Sequence, residues 1–273
     1  MTSSPPPRRL DTGTGQLLAE EAGGIAVVTF NNPAKHNALT SGMRAALPGL
    51  LRTLRADPDV RVVVVTGAGG KAFVSGADIS EFAERRTAAA DRAEYDRGWD
   101  ELSQAWHDLD KPVIAMIQGF CIGGGLLIAL QADIRIAADD SQFAIPAARL
   151  GLGYSLAGVT ALLNLVGPAW TSEILFSARR FSAAEALRMG LVNWVVPAAG
   201  LQPAVMSRAE DITRNAPLTI AACKAAIREA GRPSGQRDLA RVEAMIEACF
   251  QSQDYREGQR AFAEKRPPVF TGR

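Results

Sequence analysis

Strands buried on both faces, small-residue turns that lead into helices, and a helical final third together predict an α/β protein. The stretch "RVVVVTG" (61–67) is a β-branched run closed by glycine, the pattern of a strand covered on both sides. The stretch "KPVIAMI" (111–117) repeats that pattern behind a proline. Each run is followed by a glycine loop and a helix start, so the unit recurs, as in folds built from stacked strand–loop–helix turns.

Taken in order, residues 1–15 are polar and proline-rich and read as a flexible arm. Residues 16–30 give two short strands around Gly23–Gly24, a hairpin signal. Met43, Leu47, Leu51 and Leu54 recur at three and four, predicting a helix over 39–55 that Asp57–Pro58 ends. A helix start is expected at Asp78, and 79–109 reads as helical but highly charged. "DIRIAADDSQFAIP" offers two more strands, and 191–196 a last one. Helices are expected over 158–165, 168–177, 182–189, 201–214, 217–229 and 237–256. The organisation predicted is an arm over 1–15, a core over 16–200 and a helical oligomerisation segment over 201–273.

Composition excludes several classes of function. The 273 residues are 47% hydrophobic and 22% charged with a formal net charge of +1, which offers no electrostatic case for nucleic acid or an anionic membrane. No uncharged apolar run of about 18 residues stands out as a membrane span. Cys121, Cys223 and Cys249 are odd in number and widely spaced, which fits a reducing cytoplasm. With only His36 and His107 available, a histidine metal site is not expected.

Familiar motifs fail on inspection. "TGAGGKA" is not a phosphate loop, because Val65 holds the first glycine position and Ala72 the Ser/Thr position after Lys71. "GLGYSLAG" lacks the third glycine of a dinucleotide loop at Leu156. As a nucleophile elbow around Ser155 it ends in Ala157, and both histidines precede the serine. Two loops of one kind remain, "TGAGGKAFVSGADISEF" (66–82) and "QGFCIGGGLLIAL" (118–130). In each, backbone amides near a helix start lack helical partners and the helix dipole adds positive potential. Two such ends aimed at one oxygen would form an oxyanion hole without any side chain. Tight turns alone would also explain the glycines.

With "NNPAKHNALT", "KAFVSGADISEF", "KPVIAMIQGFCIGGGLLIALQADIRIAADDSQFAIP", "RRFSAAEALRMGLVNWVV" and "FAEKRPPVF" in one chain, the sequence resembles the crotonase superfamily, the enoyl-CoA hydratase/isomerase family, from about Gln16 to Arg273. The resemblance implies a spiral of ββα units with a helical C-terminal segment, assembled as a trimer or dimer of trimers. It implies an acyl-CoA substrate, coenzyme A being part of that substrate and no separate cofactor being needed. By the same resemblance the amides of Ala77 and Gly124 would bind the thioester oxygen. Lys35, Ala38 and Leu39 would lie along coenzyme A, Ser75, Asp78 and Ile79 near its adenine and pantetheine, and Phe262 and Lys265 would reach the coenzyme A of a neighbouring subunit.

The chain also departs from the family pattern. The two glutamates used by the hydratases fall here on Leu127 and Ala147, both apolar. Three readings stay open: a reaction needing little proton transfer, such as decarboxylation of a malonyl-type thioester with Tyr154 assisting; a proton supplied by Tyr154, Arg149, Asp78 or Glu81; or acyl-CoA binding without catalysis. Trp99 and Trp106 share one helix face and could line an acyl channel.

Overall fold

The computed structural model describes residues 6–78 and 89–273. Eleven strands among them form two sheets. The chain enters through β1 (Arg8–Leu10), β2 (Leu17–Ala22) and β3 (Ile25–Phe30), antiparallel neighbours in which Leu17 faces Phe30. The segment expected as a flexible arm therefore supplies an edge strand. Opposite charges fix its register, since Arg8 pairs with Glu21 and Asp57, and Arg9 with Glu20.

After helix α1 (Ser41–Ala56) the chain repeats one step. A strand enters the seven-stranded sheet, a shorter strand enters the four-stranded sheet, and a helix or helical turn returns. The pairs are β4 (Val62–Gly67) with β5 (Ala72–Val74), β6 (Val113–Ile117) with β7 (Phe120–Ile122), and β8 (Ile134–Ala138) with β9 (Gln142–Ala144). The strands β4, β6, β8 and then β11 (Trp194–Val196) are successive parallel neighbours in one sheet. In the other sheet β5, β7 and β9 are parallel neighbours, closed by antiparallel β10 (Phe181–Ser182). The result is a ββα spiral.

The β4 run shows why its valines are continuous. Val63 and Val65 join the main core with Leu47 and Leu51 of α1, while Val62 and Val64 face the other way, onto a smaller core. That smaller core is sealed by Leu201, Val205 and Ala209 of α6 (Leu201–Thr213). All four valines are fully buried.

Helix α2 (Ala89–Asp108) follows the β4–β5 pair and α3 (Gly124–Gln131) the β6–β7 pair, and the helix start expected at Asp78 leads directly into undescribed residues. Helix α4 (Leu156–Ser177) contains both pieces expected over 158–177, joined across Gly167 (φ 74°, ψ 173°). By length and composition α4 could cross a membrane, contrary to the expectation from sequence. It is nevertheless broken at Gly167, and its Leu162, Val166 and Ile174 are buried in the core. Helix α5 (Ala183–Arg188) opens with a reciprocal cap, Ser182 Oγ accepting from Glu185 N while Glu185 accepts from Ser182 N.

Beyond α6 come α7 (Pro217–Ala230), α8 (Leu239–Gln251) and α9 (Gln253–Ala263). The single helix expected over 237–256 is in fact two. Ser252 turns extended (ψ 158°), donates to Cys249 O and accepts from Tyr255 N. Phe250 and Tyr255 pack edge-to-face across the break at 5.3 Å, so apolar spacing alone gives no sign of it.

A half-buried arginine and a buried lysine lock the C-terminal helices to the spiral. Arg228 of α7 donates to the Trp106 and His107 carbonyls at the end of α2, where helix carbonyls lack partners. Lys224, 6% exposed, donates to Lys111 O at 2.6 Å and to Asp133 Oδ2 at 2.7 Å. Burial outweighs the attraction of Asp133 and brings the Lys224 ammonium down to about 8 from its ordinary 10.5. Between those values the unfolded chain holds the extra proton, so this residue makes stability rise with pH. Lys224→Met is therefore expected to remove that rise. The check is the difference in denaturation midpoint between wild type and variant below pH 8 and near pH 10; a constant difference would refute it.

Candidate active site

The two small-residue turns meet. The segment 35–39 is stitched to 75–78: Leu39 N donates to Gly76 O at 2.7 Å, Asp78 N to Leu39 O at 3.1 Å, Ser75 N to His36 O and Ser75 Oγ to Lys35 O. The bridge between Leu39 and Ala77 thus uses the Gly76 carbonyl and the Asp78 N–H and leaves the Ala77 N–H outside it. Across from it, Gly124 is the first residue of α3, where amides have no helical partner. A Cβ placed on Gly124 would lie 3.7 Å from Ala77 N, which measures how closely the two peptides approach. Among the described residues, neither amide donates to a protein acceptor.

Each glycine of the triplet serves a different purpose. Gly123 has φ 53° at the entrance to α3 and donates to Ala144 O. Gly125 is a packing position, because a Cβ there would fall 2.0 Å from Val74 O of β5. A Cβ on Gly124 would point between the other turn and Trp99 of α2, whose Cη2 and Cζ2 stand 3.4 and 3.5 Å from that point.

The walls are apolar. Leu127 lies one turn along α3 from Gly124, and its Cδ2 and the Tyr154 ring converge on Gly158, at 3.2 and 2.9 Å from a Cβ placed there. Ala147 is buried at the start of the turn 146–150, and Pro146 Cδ would lie 3.9 Å from a Cβ placed on Gly123. The Tyr154 hydroxyl is buried without a hydrogen-bond partner among the described residues, and burial pushes it well above its ordinary range. It is a neutral donor with no acceptor among the described residues. No carboxylate stands at Leu127 or Ala147, as the sequence indicates.

Of the residues assigned to coenzyme A, Lys35, Ala38, Leu39, Ser75 and Asp78 are brought together along the stitched segments. The Lys35 ammonium is engaged by Asp78 at 2.8 Å. Ile79 and Glu81 lie outside the described residues. Arg149 is exposed. Phe262 is 88% exposed on α9, and Lys265, just past that helix, has φ 54°.

Asn37 is a residue the sequence reading passed over. Fully buried with φ 56°, it accepts from Asn32 N and donates to Ala68 O and Ala72 O, tying the end of β3, the β4–β5 loop and the stitched turn together. An Asn between a histidine and an alanine carries no periodic signal, although Asn tolerates the left-handed region better than most residues.

A ββα spiral whose two small-residue turns face each other is the crotonase fold. Residues 20–273 match the family model described as enoyl-CoA hydratase/isomerase, and the chain belongs to that family. It is 36% identical over 250 residues to the short-chain-enoyl-CoA hydratase of Clostridium acetobutylicum, covering 92% of this chain and 95% of that one. It is likewise 36% identical over 255 residues to the carnitinyl-CoA dehydratase of Salmonella enteritidis, covering 92% and 96%. The crystal structure of an enoyl-CoA hydratase/carnithine racemase from Magnetospirillum magneticum superposes with a TM-score of 0.89 at 34% identity, covering 95% of this chain and 97% of that one.

Proposed function

We propose that this chain is an enzyme of CoA thioesters that holds the acyl carbonyl oxygen between the Ala77 and Gly124 amides and stabilises the enolate formed there. The observation that carries the reading is the approach of two undonated amides, one at a helix N-terminus, inside apolar walls. Preorganised donors in a water-poor site act most strongly on charge that develops during reaction. The names of the relatives support CoA thioesters as the substrate class.

The acids that would move water are absent at Leu127 and Ala147, and a missing general acid or base is worth about 10²–10⁴ in rate. Efficient hydration of an enoyl-CoA is therefore not expected. The orphaned Tyr154 hydroxyl beside Leu127 favours a second reading, decarboxylation of a malonyl-type thioester. There the Cα–carboxylate bond breaks, its electron pair enters the enolate, carbon dioxide leaves, and Cα takes a proton from the Tyr154 hydroxyl, which water restores.

The C-terminal segment supports assembly as a homotrimer or a dimer of trimers. Not one residue of α8 is buried within a single chain, and an apolar groove of about 660 Å³ lined by Phe250, Tyr255 and Phe262 lies open. Phe262 and Lys265 would there reach a neighbour's coenzyme A. The three unpaired thiols fit a cytoplasmic setting.

The test is isotope-edited infrared spectroscopy of butyryl-CoA labelled with carbon-13 at the thioester carbonyl. Bound to the two amides, the carbonyl stretch falls in frequency relative to the free thioester. An unshifted stretch in a saturated complex rules the reading out. Mass spectrometry of crotonyl-CoA and methylmalonyl-CoA incubated with the protein then separates the reactions: loss of carbon dioxide supports the second reading, and rapid hydration contradicts the account of Leu127 and Ala147.

A further inference from the structure

We infer that Trp99 is a specificity-determining residue that limits this site to short acyl groups, an inference resting on the thioester reading above. The outer edge of its six-membered ring stands 3.4–3.5 Å from the point a Gly124 Cβ would take, and that point is 3.7 Å from Ala77 N. The indole thus brings ring carbons, which neither donate nor accept hydrogen bonds, to the space beside the amide pair. It excludes water from the amides without competing for their hydrogen bonds.

Trp99 also bounds the room left for carbon. Beyond the amides the wall continues as Leu127, one turn further along α3, and then the Tyr154 ring at Gly158. Trp99 and Tyr154 are both only partly buried and both pack against the main core. On this reading, acyl carbons next to the thioester carbonyl pass between this indole and the Leu127–Tyr154 side. An indole is a rigid wall with only two side-chain torsions, carried here on α2. That helix is held at its end by Arg228. A chain longer than the gap must displace the ring, whereas a short one uses it as a contact.

The experiment is titration calorimetry of wild type, Trp99→Ala and Trp99→Phe with free coenzyme A, butyryl-CoA and decanoyl-CoA. Wild type is expected to prefer butyryl-CoA. Trp99→Ala shifts the ratio toward decanoyl-CoA on the order of tenfold or more, because several added methylenes gain apolar cover. Trp99→Phe, which keeps an aromatic ring and tests the same point should the alanine variant fold poorly, shifts it less. Free coenzyme A binds all three alike. An unchanged butyryl-to-decanoyl ratio in both variants, with thioesters still bound, overturns the role of Trp99 and leaves the thioester reading standing. Wild type that binds neither thioester more tightly than free coenzyme A overturns the thioester reading, and this inference with it.

Discussion

Gly125→Ala is expected to lower the stability of the fold sharply. The added methyl carbon would be built 2.0 Å from Val74 O and 2.8 Å from Val74 C and Cβ, and β5 is backbone that cannot swing aside as a side chain can. Helix α3 would have to lift from β5, and α3 carries Gly124, Leu127 and the buried Leu126 and Ile128. Overpacking of this kind costs typically 1–3 kcal/mol and occasionally more, against a total stability of about 5–15 kcal/mol. Because the clash is with the main chain and relief is not local, the upper end applies. Circular dichroism melts and soluble yield measure it. A variant as stable as wild type would mean that α3 does not lie on β5 as closely as described.

The fold was legible because its signals are apolar and periodic. The β4 valines announce two covered faces, and the structure divides them between two cores. The Arg8–Leu10 strand was not legible, since its register comes from ion pairs to Glu21, Glu20 and Asp57 that no pattern of hydrophobicity reveals. Ser252 was missed for the reverse reason, because Phe250 and Tyr255 keep an apolar rhythm straight through a turn.

At the site, the glycine triplet could be read as close approach, but which glycine approaches what depends on β5 and α2, both distant in sequence. The apolar identity of Leu127 and Ala147 was readable at once. That Trp99 of α2 stands over Gly124 was not, and neither was the part played by Asn37, whose partners lie after β3 and along the β4–β5 connection.

Gly124→Ala, one residue from the destabilising position, is expected to fold and to fail as a site. The nearest atoms to a Cβ here are those of Trp99 at 3.4–3.5 Å and Ala77 N at 3.7 Å, ordinary contact distances for carbon, and a helical first turn accepts alanine well. The methyl group nevertheless occupies the space between the two amides and pushes a thioester oxygen off at least one of them. Losing one donor of an oxyanion site costs about 10²–10³ in rate, so turnover of whichever thioester proves active should fall by that factor while the melting temperature stays close to that of wild type. The infrared shift of labelled butyryl-CoA should shrink in parallel, which ties the loss to the carbonyl rather than to a general disturbance. The comparison with Gly125→Ala makes the argument sharp: adjacent glycines in one helix turn, one needed for packing and the other for chemistry, must lose different properties. Wild-type turnover with alanine at 124 would show that the reacting oxygen lies elsewhere.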